Sequence, residues 1–175
     1  MIVFINGPFG VGKTSVARLL VEKIPNAILY DFEVIGAFLM RVLGPFKKVD
    51  DFQDYTLWRR LVVGGARVLR KVSAPTLVVP MTVWRRDLFD PITTGLRRVD
   101  PALTCFRLAV SRDVLTDRIL SDAEDRAACP WRMSHVEVCL SALQDPDFGT
   151  EIRTDDRTPA EVADNILSSL GRPTG

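Results

Sequence analysis

The chain has 175 residues, 47% of them hydrophobic and 26% charged, which is typical of one globular domain. Its 23 Lys and Arg residues nearly balance its 22 Asp and Glu residues, which argues against a dedicated nucleic-acid-binding protein. The sequence contains no signal peptide, no apolar window long enough to cross a membrane, and no metal-ligand spacing among its three cysteines. We therefore expect a single cytoplasmic domain over residues 1–175 without an integral membrane segment. Peripheral membrane association is an alternative that the sequence does not indicate.

Apolar runs alternate with helical patterns along the chain, which indicates a parallel α/β sheet. Strands are predicted at about 2–6, 27–30, 76–82, 104–110 and 151–154. Helices are predicted to start near 13 and to cover about 33–42, 51–70, 88–99, 113–122 and 133–143, with a last helix after Thr158-Pro159. Pro80 cannot donate a ladder hydrogen bond, so regular pairing of the third strand should end there. Gly64-Gly65 indicates close packing or a kink, and Pro130-Trp131 interrupts the pattern before the sixth helix.

The first strand–helix turn matches the phosphate-loop pattern G-x-x-x-x-G-K-[ST] in full. Glycines let the backbone curl so that its N–H groups converge on phosphate, and the following helix adds its positive amino end. Lys13 supplies a cation for the β- and γ-phosphates, and the Thr14 hydroxyl is a Mg²⁺ ligand. The expected cofactor-binding residues are Gly7, Pro8, Phe9, Gly10, Val11, Gly12, Lys13, Thr14 and Ser15.

Carboxylates follow the second predicted strand rather than the third. Many P-loop proteins hold Mg²⁺ with an Asp closing an apolar strand, but Pro80 stands there, which argues against a motor or a GTPase. Asp31 and Glu33 are expected at the sheet edge where ligands bind. Asp31 could hold the Mg²⁺ water shell or accept a proton from a substrate hydroxyl. The alternative is that Asp31 only caps the next helix.

An arginine-containing stretch over about 118–133 is similar to the mobile lid of small kinases. Arg118 and Arg126 are expected to be catalytic, and Arg118 also to bind the nucleotide, because arginine carries a permanent charge and stacks on adenine. Arg132 is a weaker candidate in the same stretch. The alternative for all three is a solvated helix face.

A segment that mixes aromatic, acidic and basic residues is a candidate acceptor pocket. Besides Asp31 and Glu33, the expected substrate-binding residues are Tyr55, Trp58, Arg59, Met81 and Thr82. Tyr55 and Trp58 are equally consistent with a core-facing aromatic stripe, and Met81-Thr82 with an ordinary strand end. His135, the sole histidine, is expected to be an ordinary helix-surface residue.

Several blocks in order along about 150 residues resemble the tunicamycin-resistance ATP-binding protein family. They are Ile5–Thr14, Tyr30-Asp31-x-Glu33-x-x-Gly36, Asp51-Phe52-Gln53-x-Tyr55-x-Leu57-Trp58-Arg59, Val79-Pro80-Met81-Thr82 and Thr154-Asp155. The resemblance implies a P-loop kinase-like, three-layer α/β/α fold with a five-stranded parallel sheet in order 2-3-1-4-5. It implies ATP binding at Gly7–Thr14 and resistance to a nucleoside antibiotic that carries a fatty acyl chain. The fold is also similar to chloramphenicol phosphotransferase and shikimate kinase, in which a carboxylate after the second strand serves the acceptor hydroxyl.

Three functions are consistent with these observations. The first is an ATP- and Mg²⁺-dependent phosphotransferase acting on a nucleoside antibiotic or a similar small hydroxyl compound. The second is a protein that binds and sequesters such a drug, with ATP setting only its conformation. The third is a metabolic kinase for an unrelated hydroxyl compound. The acceptor atom and the oligomeric state do not follow from the sequence.

Overall fold

A computed structural model describes residues 1–32, 56–73, 76–123 and 126–171. The described strands are β1 (Ile2–Asn6), β2 (Ala27–Leu29), β3 (Thr76–Pro80), β4 (Leu103–Ala109) and β5 (Thr150–Arg153). The described helices are α1 (Lys13–Lys23), α2 (Thr56–Val72), α3 (Arg86–Val99), α4 (Arg112–Ser121), α5 (Cys129–Ala142) and α6 (Pro159–Leu170), with short 3₁₀ turns at Arg126–Ala128 and Pro146–Phe148. The helix predicted over 33–42 and the first part of the one predicted from 51 lie outside the described residues, as do lid residues 124–125.

The five strands form one parallel sheet in the order β2-β3-β1-β4-β5. This order confirms the fold class and topology that the resemblance implies. The central strand β1 is buried over its whole length, between β3 on one side and β4 on the other. Because all strands run in the same direction, their carboxyl ends meet at one edge, which is where ligands bind in sheets of this kind.

Both faces of the sheet are covered by helices. Side chains alternate between the two faces of a strand, so Phe4 of β1 packs against α2 and α3, whereas Ile5 packs against α1, α4 and α6. The result is a three-layer arrangement with a hydrophobic core on each side of the sheet. No helix in the described part of the chain is long and apolar enough to cross a membrane.

The prediction that regular pairing of the third strand ends at Pro80 is confirmed, and the strand is shorter than the predicted 76–82. β3 ends at Pro80, which lies opposite Ile5 in the register. The next N–H group, that of Met81, still donates to the Ile5 carbonyl oxygen at 3.0 Å. The chain then leaves the sheet, because the proline supplies no ladder donor of its own.

The sequence prediction that Pro130 and Trp131 interrupt the helical pattern is wrong. α5 begins at Cys129, so both residues lie in its first turn. A proline is tolerated there because the first N–H groups of a helix have no intrahelical acceptor. The earlier start of α5 brings Trp131 and His135 onto the same helix, one turn apart.

The last helix begins after Thr158, as predicted, and its first turn is capped. The Thr158 hydroxyl accepts a hydrogen bond from the backbone N–H of Glu161 at 3.3 Å, and the Glu161 carboxylate accepts one from the N–H of Thr158 at 2.7 Å. Pro159 occupies the first turn. This reciprocal capping box satisfies two N–H groups that a helix start otherwise leaves without an acceptor.

Of the two interpretations of Gly64-Gly65, close packing applies to the second glycine. A Cβ atom at Gly65 would lie 2.4 Å from the Tyr30 hydroxyl oxygen, whereas one at Gly64 would meet no atom within 4 Å. The Tyr30 hydroxyl donates to the Val62 carbonyl oxygen at 2.7 Å. α2 therefore approaches the end of β2 closely because position 65 has no side chain.

Candidate functional site

The glycine-rich loop leaves β1 at the carboxyl edge of the sheet and enters α1 directly. Gly10 and Gly12 have φ values of 78° and 98°, which few residues other than glycine adopt. A Cβ atom at Gly12 would meet nothing within 4 Å, so the backbone at this position borders open space. The predicted loop conformation, with its backbone exposed toward a cavity, suits a bound phosphate chain.

The amino end of α1 provides positive charge beside this loop. Gly12 is the N-cap residue, and among the described residues no side chain caps the helix and no acidic residue lies in its first turn. The Lys13 side chain is buried, and its ammonium group donates to the Pro8 carbonyl oxygen at 2.9 Å. The N–H groups of the first turn and the ammonium group therefore lie at one place, which favours an anion.

A cavity of about 380 Å³ opens in front of the loop. Its lining combines the predicted phosphate-binding residues with side chains from the end of β3 and from the segment around α5. It consists of Phe9, Gly10, Gly12, Lys13, Thr14, Ser15, Arg18, Thr82, Asp122 and Arg132. We call this the phosphate cavity. It brings Thr82 together with Lys13 and Thr14, although Thr82 lies 68 or more positions further along the chain.

Arg132 lines the phosphate cavity, although the sequence favoured Arg126 over it. Its guanidinium group is ion-paired with Asp122 at 2.8 Å, which fixes the side chain against the segment that follows α4. Arg126 lies in the 3₁₀ turn and is exposed, and it is not among the lining residues of this cavity. Which of the neighbouring arginines faces the loop depends on where α5 begins, and the sequence pattern placed that start too late.

Arg118 joins α4 to the loop and to the end of β5. Its guanidinium group donates to the Thr154 carbonyl oxygen at 2.7 Å, to the Thr154 hydroxyl at 3.1 Å and to the Val11 carbonyl oxygen at 3.4 Å. It lines a second, largely apolar cavity of about 150 Å³, which shares Gly10 and Gly12 with the phosphate cavity. The remaining lining residues are Gly10, Val11, Gly12, Val16, Thr154, Arg157, Pro159 and Val162.

Asp155 connects the segment after β5 to the start of α4. Its carboxylate accepts a hydrogen bond from the Ser111 N–H at 2.6 Å and pairs with Arg153 at 3.2 Å. Hydrogen bonding from Ser111 and the charge of Arg153 lower the pKa of Asp155 below its ordinary value, against the opposing effect of desolvation. Asp155 therefore stays ionised and holds Ser111, the N-cap residue of α4.

The residues predicted to bind the acceptor substrate lie in different parts of the structure. Asp31 follows β2 directly and is half-buried at the carboxyl edge, outside the lining of the phosphate cavity. Thr82 is buried and lines that cavity, whereas Met81 is buried in the hydrophobic core. Glu33 and Tyr55 lie outside the described residues.

Trp58 and Arg59 lie in different surroundings, although they are neighbours in the chain. Trp58 has no exposed surface, and its indole N–H donates to the Phe32 carbonyl oxygen at 2.9 Å within the hydrophobic core. This position matches the core interpretation that the sequence left open. Arg59 lines a groove between α2 and α3, beside Arg60, Arg67 and Pro91, away from the glycine-rich loop.

Asn6, at the end of β1, is a site residue that the sequence analysis missed. Its side-chain oxygen accepts hydrogen bonds from the N–H groups of Gly7 and Val83, both at 2.9 Å. Its amide nitrogen donates to the Val83 carbonyl oxygen at 2.8 Å. Asn6 therefore fixes the start of the loop to the segment that follows β3. The available signal was a polar residue ending a fully apolar strand.

Four aromatic rings meet next to the loop, in what we call the ring cluster: Phe9, Trp84, Trp131 and His135. The centroid of Phe9 lies 5.6 Å from that of Trp84 and 4.9 Å from that of Trp131. His135 lies 4.3 Å from Trp131 and 5.8 Å from Trp84. The expectation that His135 is an ordinary helix-surface residue is not met, because its ring is half-buried among the other three.

The sheet order, the helices on both faces and the glycine-rich loop between β1 and α1 define the kinase-like P-loop fold. No protein-family model matches the chain, and no curated protein matches it. Among solved structures, it is similar to the tunicamycin resistance protein of Deinococcus radiodurans, with 27% identity and a TM-score of 0.77 over 97% of this chain and 95% of that one. This likeness confirms the resemblance drawn from the sequence.

Two enzymes share the fold at lower identity. A gluconokinase from Sinorhizobium meliloti 1021 has 20% identity and a TM-score of 0.68, covering 98% of this chain and 91% of that one. A shikimate kinase from Bacteroides thetaiotaomicron has 17% identity and a TM-score of 0.61, covering 97% of each chain. These two likenesses establish the architecture only.

Proposed function

We propose that this protein transfers the γ-phosphoryl group of ATP to a hydroxyl of a small molecule, and that the acceptor is a nucleoside antibiotic of the tunicamycin kind. The observation that carries this proposal is the phosphate cavity, in which the glycine-rich loop and Lys13 face Thr82 and Arg132. The likeness to a tunicamycin resistance protein supports the choice of acceptor.

ATP would lie along the loop with its phosphates on the N–H groups of Gly7–Thr14 and on Lys13. The cavity around Arg118, Arg157 and Pro159 adjoins the same loop and offers an apolar slot with guanidinium groups for the base. Arg118 is held by Thr154, so we propose that it positions the nucleotide as well as contributing positive charge. Arg126 remains a proposed lid residue.

Mg²⁺ fits the residues present at the loop. The Thr14 hydroxyl lines the phosphate cavity, and among the described residues no group of three metal-ligating side chains forms a protein cage. That suits Mg²⁺, which keeps several waters and is bound largely through substrate phosphates. When bound, the ion would neutralise phosphate charge, with the Thr14 hydroxyl as its proposed protein ligand and Asp31 as a proposed contact with its water shell.

In the proposed reaction, the acceptor oxygen forms a bond to the γ-phosphorus as the bond to the bridging oxygen of ADP breaks. The hydroxyl proton passes to Asp31, at the carboxyl edge next to β3. Lys13 and Arg132, which both line the phosphate cavity, would stabilise the charge that builds up on the migrating group. Glu33, Tyr55 and Arg59 remain proposed acceptor contacts, and Trp58 would act from the core by supporting Phe32 rather than by touching the acceptor.

Incubation of the purified protein with MgATP and tunicamycin tests this proposal, with mass spectrometry of the drug as readout. We expect the drug to gain one phosphoryl group. Asp31→Asn should lose turnover about 100-fold or more while ATP affinity stays within about twofold of wild type, because a general base contributes 10²–10⁴-fold to rate.

A sequestering protein predicts the opposite result. Since β3 ends in Pro80 without a carboxylate, drug binding without chemistry is the competing function. Tight binding of unmodified tunicamycin, with Asp31→Asn indistinguishable from wild type, would establish that alternative. Phosphorylation of other hydroxyl compounds but not of tunicamycin would indicate a metabolic kinase.

A further inference from the structure

We infer that the ring cluster is the acceptor's docking platform, which stacks a flat nucleobase bearing an N–H donor beside the phosphate cavity. This inference rests on the proposed function and deepens it, because it names the part of the acceptor that the protein recognises. The cluster brings together rings from three separate segments: Phe9 from the glycine-rich loop, Trp84 from the segment after β3, and Trp131 with His135 from α5.

The ring cluster and the phosphate cavity share a wall. Phe9 belongs to the cluster and also lines the cavity with Lys13 and Thr14. In α5, Trp131 contributes to the cluster and its chain neighbour Arg132 lines the cavity. A molecule stacked on the rings would therefore have its remaining groups next to the phosphates, as an acceptor must.

The rings are available to a ligand. The Trp131 side chain is 37% exposed, and Phe9, Trp84 and His135 are half-buried. Partly exposed aromatic rings gain from contact with another planar ring, because nucleobases stack on aromatic side chains. An apolar surface of this kind beside a polar cavity suits a ligand that carries a planar ring at one end and a hydroxyl group at the other.

The contacts of His135 indicate which hydrogen-bonding group the ligand presents to this side chain. Its Nδ1 lies 2.8 Å from the Trp131 carbonyl oxygen, which can only accept a hydrogen bond. In the tautomer that pairs with this carbonyl, Nδ1 carries the proton, the Ser134 hydroxyl 3.0 Å away can accept from it as well, and Nε2 is an acceptor. A base with a ring N–H, such as uracil, can donate to that nitrogen, whereas an N-methylated base cannot.

Calorimetric titration of the protein with uridine tests the inference, with a saturating non-hydrolysable ATP analogue and Mg²⁺ present so that the nucleoside does not occupy the nucleotide site. We expect wild type to bind uridine, and Trp131→Ala to weaken that binding roughly 5- to 100-fold. 3-Methyluridine should bind more weakly than uridine to wild type, and the two should bind equally to His135→Phe.

Val138→Ala provides the matched control, because Val138 is an exposed residue on the same helix but outside the ring cluster. We expect its uridine affinity to equal that of wild type. Circular dichroism and the affinity for the ATP analogue show that each variant is folded.

Three results would overturn the inference: no uridine binding by wild type, unchanged binding by Trp131→Ala, or binding of glucose in preference to uridine. Phosphorylation of tunicamycin by Trp131→Ala with an unchanged KM would do the same while leaving the proposed function intact. Conversely, uridine binding that depends on Trp131 in a protein that never phosphorylates the drug would overturn the proposed function alone.

Discussion

Asn6 supports the loop through buried hydrogen bonds rather than through any chemistry of its own. Asn6→Ala would leave the N–H and carbonyl groups of Val83 and the N–H of Gly7 without their partner in a buried setting. Each unsatisfied buried group costs about 1–3 kcal/mol, so we expect these three groups to cost about 3 kcal/mol or more in the free energy of unfolding. Urea denaturation measures this loss.

The control for that substitution is Asn165→Ala, at a half-buried position in α6. We expect its effect to stay within about 0.5 kcal/mol, because alanine is the better helix former and no comparable network is lost. Equal effects of the two substitutions would show that the Asn6 contacts do not hold the loop in place.

Asp155 makes stability depend on pH. Its pKa is lowered in the folded protein, so its contribution is present above the ordinary Asp pKa of about 3.9 and is lost as pH falls through the folded value. Asp155→Asn should be less stable than wild type at pH 7, by about 0.5–1 kcal/mol since the group is partly exposed. The difference should shrink below about pH 4.

Urea midpoints measured between pH 7 and pH 3 check this dependence. Asp156→Asn, at the exposed neighbouring position, is the control and should track wild type at every pH. A stability difference for Asp155→Asn that is the same at pH 7 and pH 3 would contradict the role assigned to its charge.

At the scale of elements, alanine substitutions at the two adjacent glycines of α2 should change the stability in opposite directions. Gly65→Ala drives a methyl group to within 2.4 Å of the Tyr30 hydroxyl, so we expect a loss of about 1–3 kcal/mol. Gly64→Ala meets open space and should stabilise the helix by about 0.5–1 kcal/mol. Urea denaturation of both variants measures the two signs, and two losses of equal size would mean that α2 does not approach β2 as described.

The position of α5 shows how an element boundary decides a site. The sequence pattern placed the helix start near residue 133, whereas it begins at Cys129. This difference of one turn puts Trp131, Arg132 and His135 on one rigid helix beside the loop. Local pattern does not reveal this, because a proline in a first turn and a proline that interrupts a helix look alike until the neighbouring N–H groups are placed.

At the scale of the whole molecule, binding of MgATP should appear as added stability. A ligand at about 100 times its Kd stabilises the folded state by about 2.7 kcal/mol, which raises Tm by roughly 5–10 °C for a chain of this size. Lys13→Ala should show a much smaller increase, because it removes the cation that would face the phosphates in the cavity that Lys13 lines. Thermal-shift measurement with and without MgATP tests this.

Lys71→Ala is the control, since Lys71 is exposed at the end of α2. It should keep the full MgATP-dependent increase in Tm. An equal increase in wild type and Lys13→Ala would contradict nucleotide binding at the loop.

The sequence by itself determined the order of strands and helices, the class of fold, and the loop with its lysine. These features follow from local rules. Buried strands alternate with amphipathic helices, glycines permit positive φ, and a helix cap can be recognised from four consecutive residues. The parallel arrangement then required that the carboxyl ends of the strands share an edge.

Only the tertiary structure decided which side chains meet at that edge. Asn6 and Val83 are 77 positions apart, and Arg118 and Thr154 are 36 apart, so no local pattern reports their hydrogen bonds. The same holds for the ring cluster and for Trp58, whose aromatic character fits a pocket and a core equally well until its burial is known. Packing joins segments that are distant in the chain, and the site is made of those contacts.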